Sequence, residues 1–197
     1  MKLCVFQGTF NPIHNAHLRV AEYIVNRYCF DKLLFIPAYD PPHKSCDLHF
    51  SSDRLEMVKL AVEDYPKFEV SDIEFRRGGK SYTYLTILEL YKLYNPEGKI
   101  NFLIGTDAFK NIETWYEFEK LKNLVKYIVF VREDNFDISE YDYLKKKDVD
   151  FEFQPLPYED ISSTTIRLKV QKGESICEFV PKKVEEYIKE HELYKSK

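Results

Sequence analysis

The chain has 197 residues and a formal net charge of −4, from 29 basic and 33 acidic side chains. That length buries a core without disulfide or metal staples, and the acidic balance excludes a protein built to coat duplex nucleic acid. With 44% hydrophobic and 31% charged residues it has neither a disordered nor a membrane composition, and no apolar run approaches the ~18 residues of a spanning helix.

In chain order, Leu3–Gly8 reads as a buried strand, and no export cleavage site follows the apolar start. Asn15–Tyr28 is predicted helical, with Leu18, Ala21, Tyr23, Ile24 and Val25 supplying an apolar face. Lys32–Ala38 is a second apolar run, stopped by Pro37 and then Pro41-Pro42. Ser51–Tyr65 has Leu55, Val58, Ala61 and Val62 at helical spacing, and Phe68–Phe75 alternates as a strand does. Ser81–Tyr94 is predicted helical, followed by a turn at Asn95-Pro96-Glu97-Gly98. Lys99–Thr106 reads as a further buried strand, Thr114–Leu124 as a short helix and Tyr127–Val131 as another strand. Asp134–Asp148 is polar and irregular, and Phe151–Gln154 is a last short strand. Ser163–Gln171 and Pro181–Tyr194 close the chain as helices.

Apolar strands alternating with amphipathic helices indicate an α/β protein: a Rossmann-like, doubly wound parallel sheet with helices on both faces. No repeat or linker divides it, so residues 1–197 are expected to form a single domain, with a small C-terminal helical subdomain over roughly 160–197. The four cysteines, Cys4, Cys29, Cys46 and Cys177, form no C-x-x-C pair. Reduced, mostly buried thiols in a cytoplasmic protein are the expectation.

In such sheets ligands collect at the carboxyl ends of the strands, here after Phe6, Ile36, Ile104 and Val131. After the first strand, Gly8 lets backbone approach a ligand, and Thr9 adds a hydroxyl beside N–H groups able to face a phosphate. His14 and His17 fall on one face of an incipient helix, and Asn15 is the expected N-cap. An isolated H-x-x-H is more often a surface and a core histidine than a site, and two histidines alone do not make a zinc centre. Pro41-Pro42-His43-Lys44 reads alone as a rigid turn with a basic tip; His43, Cys46 and His49 offer only three ligands for a metal. Gly105 again allows close approach, and Asp107 suits either two ribose hydroxyls or a helix cap. Trp115 and Tyr116 follow; a lone Trp is more often core. From Asp160, the run Ile161-Ser162-Ser163-Thr164-Thr165-Ile166-Arg167 joins hydroxyls, helix N–H groups and a forked cation. Gly78-Gly79-Lys80-Ser81 is not a phosphate loop, because Glu74 stands where that motif needs its first Gly.

Taken together these strings resemble one family. G-T-F-N-P-I-H-N-A-H after the first strand resembles the nucleotidylyltransferase signature G-x-F-x-P-x-H-x-G-H. Ala16 stands for the usual Gly, and Gln7 and Asn11 stand where a closer pattern has Gly and Asp. Ala16 fits if the backbone there is helical, whereas Gln7 puts a side chain where backbone meets ligand. I-P-A-Y-D-P-P-H-K, I-G-T-D, T-W-Y-E-F-E-K-L and I-S-S-T-T-I-R, in that order, resemble the bacterial nicotinate mononucleotide adenylyltransferases.

The resemblance implies transfer of the adenylyl group of ATP to nicotinate mononucleotide, with Mg2+ carried by ATP and no metal held by the protein. It implies His17 at the α-phosphate with His14 alongside, and Lys44 and Arg167 on the outer phosphates, helped by Ser162 and Thr164. Gly8, Thr9 and Phe10 would lend backbone to the nucleotides, Gly105 and Asp107 would meet a ribose of the ATP part, and Trp115 would stack on the pyridine. Thr83 and Tyr116 would read the carboxylate through backbone N–H, with His43, Lys44 and Arg132 on the substrate side. No nucleic-acid or membrane partner is implied, and a homo-oligomer is left open. The alternatives are an adenylyltransferase for nicotinamide mononucleotide or phosphopantetheine, and a non-catalytic nucleotide sensor; Gln7 and Ala16 are the latter's only support.

Overall fold

Six apolar runs become six parallel strands: β1 (Leu3–Gly8), β2 (Lys32–Pro37), β3 (Phe68–Val70), β4 (Ile100–Gly105), β5 (Val125–Val131) and β6 (Phe151–Pro155). They form one sheet in the order β3-β2-β1-β4-β5-β6. The computed structural model describes residues 1–42, 50–131, 136–156 and 161–195. The helices are α1 (Asn15–Tyr28), α2 (Ser51–Val62), α3 (Ile73–Arg77), α4 (Thr83–Tyr94), α5 (Thr106–Phe109), α6 (Phe118–Leu121), α7 (Asp142–Lys145), α8 (Ser163–Gln171) and α9 (Lys182–Glu190).

The two-residue period of the strands divides the core. Cys4 and Phe6 of β1 join Leu33 and Phe35 of β2 in a cluster with Leu18 and Ile24 of α1, Met57 and Val58 of α2, Ile166 of α8 and Val184 and Ile188 of α9. Leu3 and Val5 face the other way, into a cluster with Leu34, Ile36, Ile87 and Leu90 of α4, and Phe102. Helices therefore cover both faces, as the strand composition implied. The C-terminal helices complete the core of the first face. No helix among the described residues is long and apolar enough to cross a membrane.

Three local expectations are corrected. The strand expected over Phe68–Phe75 stops at Val70, because Ser71 Oγ accepts the Ile73 N–H at 3.3 Å and starts α3, which buries Ile73 and Glu74. The helix expected over Thr114–Leu124 is broken: a 3₁₀ turn at Ile112–Thr114 and a left-handed Glu117 (φ 55°) precede the short α6. Of the thiols, Cys4 is buried and its pKa is pushed upward by that burial, but Cys29 and Cys177 are exposed. Cys46 lies outside the described residues.

Tyr127 of β5 is wholly buried, edge-on to Phe102 and Phe109. Its hydroxyl has no hydrogen-bond partner among the described residues. A buried, unpaired hydroxyl costs on the order of 1–3 kcal/mol, whereas an apolar group of the same shape costs nothing comparable. Tyr127→Phe is therefore expected to raise the melting temperature by about 2–12 °C. Thermal unfolding checks this; a lowered melting temperature would mean that the hydroxyl is satisfied.

Candidate active site

Strand order reverses between β1 and β4: the connection from β1 runs outward to β2, and β4 returns to the other side of β1. The carboxyl ends of these two strands diverge at that point and leave a crevice. It holds a cleft of about 910 Å³. The β1–α1 loop contributes Gly8, Thr9, Phe10, His14 and His17; α4 contributes Thr83. The β4 end contributes Gly105 and Asp107, and the segment after it Trp115 and Tyr116. The start of α8 contributes Ser162, Thr164 and Arg167. His43, Lys44 and Arg132, and the metal ligands considered at Cys46 and His49, lie outside the described residues.

The cap of α1 is His14, extended at φ −146° and ψ 169°, and not Asn15. Asn15 is used elsewhere: its N–H donates to the Phe179 carbonyl at 2.8 Å and its side-chain amide to the Glu178 carbonyl at 3.0 Å. The His14 N–H donates to His17 Nδ1 at 3.3 Å, and the two rings stack with centroids 3.6 Å apart. Phe10 and Phe6 abut His17 edge-on at 5.1 and 5.9 Å. With Nδ1 accepting, the proton of a neutral His17 ring sits on Nε2 and makes that nitrogen a donor. Ala16 is helical and buried, so a methyl is accommodated where the signature has Gly.

Both cleft glycines also sit beneath aromatic rings. A Cβ on Gly8 would come within 2.9 Å of the Phe10 ring, whose residue is left-handed at φ 48°. A Cβ on Gly105 would come within 3.0 Å of the Phe130 ring. Each strand end is thus roofed by an aromatic ring that would have to shift to admit a Cβ.

Across the cleft, Ser162 caps α8 by accepting the Thr165 N–H at 3.1 Å. Arg167 Nη1 donates to the Asn11 carbonyl at 2.7 Å and Nη2 to Thr164 Oγ1 at 3.3 Å. Ser163 donates to the Pro12 carbonyl at 2.9 Å, and the Tyr194 hydroxyl to Asn11 Oδ1 at 2.6 Å. At the other end, half-buried Trp115 stands edge-on to Phe102, and exposed Tyr116 lies 4.5 Å from the Tyr82 ring. Asp107 is exposed in the first turn of α5 and is the only carboxylate lining the cleft among the described residues. No group of three or more His, Cys, Asp or Glu among those residues is arranged to hold a metal.

Sequence reasoning missed Arg54, Glu74 and Tyr194. Arg54 of α2 is wholly buried and donates to the carbonyls of Thr9 (2.8 Å), Ala38 (2.6 Å) and Tyr39 (3.0 Å). It thereby ties the loop after β1 to the loop after β2. A signal existed: Arg54 shares the apolar stripe of Met57, Val58 and Ala61, where a solvated arginine has no place. Glu74 accepts from Gln7 Nε2 at 2.7 Å, so the Gln7 side chain is pinned to the protein.

A family model described as cytidylyltransferase-like matches residues 5–169. A probable nicotinate-nucleotide adenylyltransferase from Clostridium tetani is 39% identical over 200 residues, covering 98% of this chain and 99% of that protein. One from Citrifermentans bemidjiense is 42% identical over 214 residues, covering 98% of each. Among solved structures, Plasmodium falciparum nicotinic acid mononucleotide adenylyltransferase complexed with NaAD superimposes with a TM-score of 0.78 at 23% identity, covering 98% of this chain and 96% of that one.

Arg54→Met keeps the unbranched stem but removes the guanidinium, leaving three carbonyls without this donor. Each buried carbonyl left unsatisfied costs about 1–3 kcal/mol, so three of them are expected to lower the melting temperature by at least about 6 °C. A shift below about 2 °C in thermal unfolding would show that the clamp contributes little.

Proposed function

The chain belongs to the cytidylyltransferase-like family and, within it, to the nicotinate-nucleotide adenylyltransferases, and from that premise we infer that it joins nicotinate mononucleotide to ATP. The products are nicotinate adenine dinucleotide and pyrophosphate, a step of NAD biosynthesis. The observation that carries this reading is the convergence of five separate segments on one cleft at the switch point of the sheet. One end of that cleft is lined by histidine, hydroxyls and arginine, the other by aromatic rings.

In the reaction a 5′-phosphate oxygen of the mononucleotide attacks the α-phosphorus of ATP in line. The bond from that phosphorus to the bridging oxygen breaks, and pyrophosphate leaves with the electron pair. The nucleophile is already ionised, so catalysis consists of positioning and charge neutralisation. His17 suits the α-phosphate: its Nδ1 is occupied by the His14 N–H, which leaves Nε2 as the donor. The stacked His14 ring fixes its orientation. Arg167, Ser162 and Thr164 suit the outer phosphates, with Lys44 assigned there by the family pattern alone. Gly8, Thr9 and Phe10 suit the nucleotide backbone, and Asp107 a ribose. Trp115 suits the pyridine ring, and Thr83, heading α4, has an N–H with no acceptor inside its own helix. Tyr116 would supply the second N–H. The ATP substrate would enter with Mg2+; the one carboxylate lining the cleft among the described residues is exposed and does not by itself cage the ion.

The assay is pyrophosphate release from MgATP, run in parallel with nicotinate and nicotinamide mononucleotides. Fast release with the acid and little with the amide is expected. Equal rates would keep the chemistry and remove the acid preference; no release with either, despite ATP binding, would point to a nucleotide sensor. His17→Ala is expected to lower kcat by about a hundredfold or more with the melting temperature within a few degrees of wild type. A near-wild-type rate would remove His17 from this role.

A further inference from the structure

We propose that Arg54 is a positioning residue for the reaction: through the Thr9 carbonyl it aims the Phe10 N–H into the cleft as a donor to a phosphate at the reacting centre. The proposal rests on the adenylyltransferase reading above and deepens it. Arg54 is wholly buried and is not among the residues that line the cleft, whereas Thr9 and Phe10 are. It donates to three carbonyls, those of Thr9, Ala38 and Tyr39. All three of these peptides are trans, and in a trans peptide the carbonyl and the following N–H point in opposite directions. Each carbonyl drawn to Arg54 therefore turns the next N–H away from it. Two of those N–H groups are taken up by the protein. That of Tyr39 donates to Glu74 Oε2 at 3.3 Å, and that of Asp40 to Ser81 Oγ at 3.0 Å. The third, that of Phe10, has no acceptor among the described residues. Orphaned backbone donors are rare where the chain is as buried as Phe10. This one faces away from Arg54, on the side of its peptide that borders the cleft.

The arrangement also carries charge. A guanidinium stays protonated when buried, and a carbonyl engaged by a cation polarises its peptide, so the N–H at the far end becomes a stronger donor. Positive potential thereby reaches an anionic ligand through the peptide, while the cation itself stays behind the wall. The Phe10 ring abuts His17 edge-on at 5.1 Å, so this peptide belongs to the same stretch of loop as the imidazole that suits the α-phosphate. Two phosphates meet there in the reaction, the α-phosphate of ATP and the 5′-phosphate of the mononucleotide. Both offer the anionic oxygen that such a donor stabilises, and kinetics tell them apart.

The test joins kinetics of Arg54→Met and Arg54→Lys, run well below their melting temperatures, to the amide signal of Phe10 in protein labelled with nitrogen-15 phenylalanine. Arg54→Met is expected to lose about a hundredfold in kcat/KM. Arg54→Lys keeps the charge and part of the donation and is expected to lose about tenfold. A loss confined to the KM for nicotinate mononucleotide assigns the N–H to its 5′-phosphate. A loss in kcat with both KM values within about twofold assigns it to the α-phosphate in the transition state. In the wild type the Phe10 amide signal is expected to move when nicotinate mononucleotide or α,β-methylene-ATP is added, and to move less in Arg54→Lys. Folded variants within about threefold of the wild-type kcat/KM overturn the proposal and leave the adenylyltransferase assignment standing. So does a Phe10 amide that neither ligand moves, and so does a proportionate rise in both KM values with kcat unchanged, the mark of a merely structural role. A wild-type protein whose Phe10 amide responds to these ligands but which releases no pyrophosphate keeps the donor and overturns the assignment instead.

Discussion

Everything in the cleft is measured from the carboxyl end of β1, and that end is held by side chains from elsewhere in the chain. Beyond Gly8 the backbone leaves its ladder, turns through a left-handed Phe10 and enters α1 with an extended His14. Such a loop has few bonds of its own. Arg54 takes the carbonyl of Thr9, Arg167 that of Asn11 and Ser163 that of Pro12. A guanidinium suits this work, since its planar fork donates to several carbonyls in a fixed arrangement and stays charged when buried. The order of this loop therefore depends on donors that lie far away in sequence.

What could be read from residues alone follows from that. The strands were legible because a sheet covered on both faces demands continuous apolar runs, and Leu3–Gly8 or Ile100–Gly105 satisfy that locally. Asn15 was misread as a cap because its preference for caps is local, while its actual partners at residues 178 and 179 are not. The end of β3 was missed because Ile73 and Phe75 continue the strand alternation that Ser71 and Asp72 interrupt. The histidines, Trp115 and the hydroxyls of α8 were recoverable as motifs. Gln7 was visible as a departure, but its meaning required Glu74, which in the sequence was only the residue that spoiled a phosphate-loop pattern.

The cleft also reconciles an acidic chain with an anionic pair of substrates. One wall carries Arg167, hydroxyls and ring or backbone N–H groups, and the one carboxylate among the cleft's described lining residues lies beyond β4, on α5. The negative balance comes from the excess of acidic side chains elsewhere; exposed ion pairs such as Lys145–Asp142 and Lys195–Glu192 cancel in charge and contribute little to stability. Local placement, and not net charge, decides what such a protein binds.

The tethers of the Asn11–Asn15 loop have a consequence for assembly. Their partners stand 151 to 183 residues further along the chain. Closing loops of that span is entropically slow, and contacts of high sequence separation form late. During vectorial synthesis the loop is made among the first residues and its tethers among the last. The sheet can pair progressively, but the loop after β1 stays untethered until α8 docks, so the cleft is completed as the closing event of folding and not as a by-product of the core.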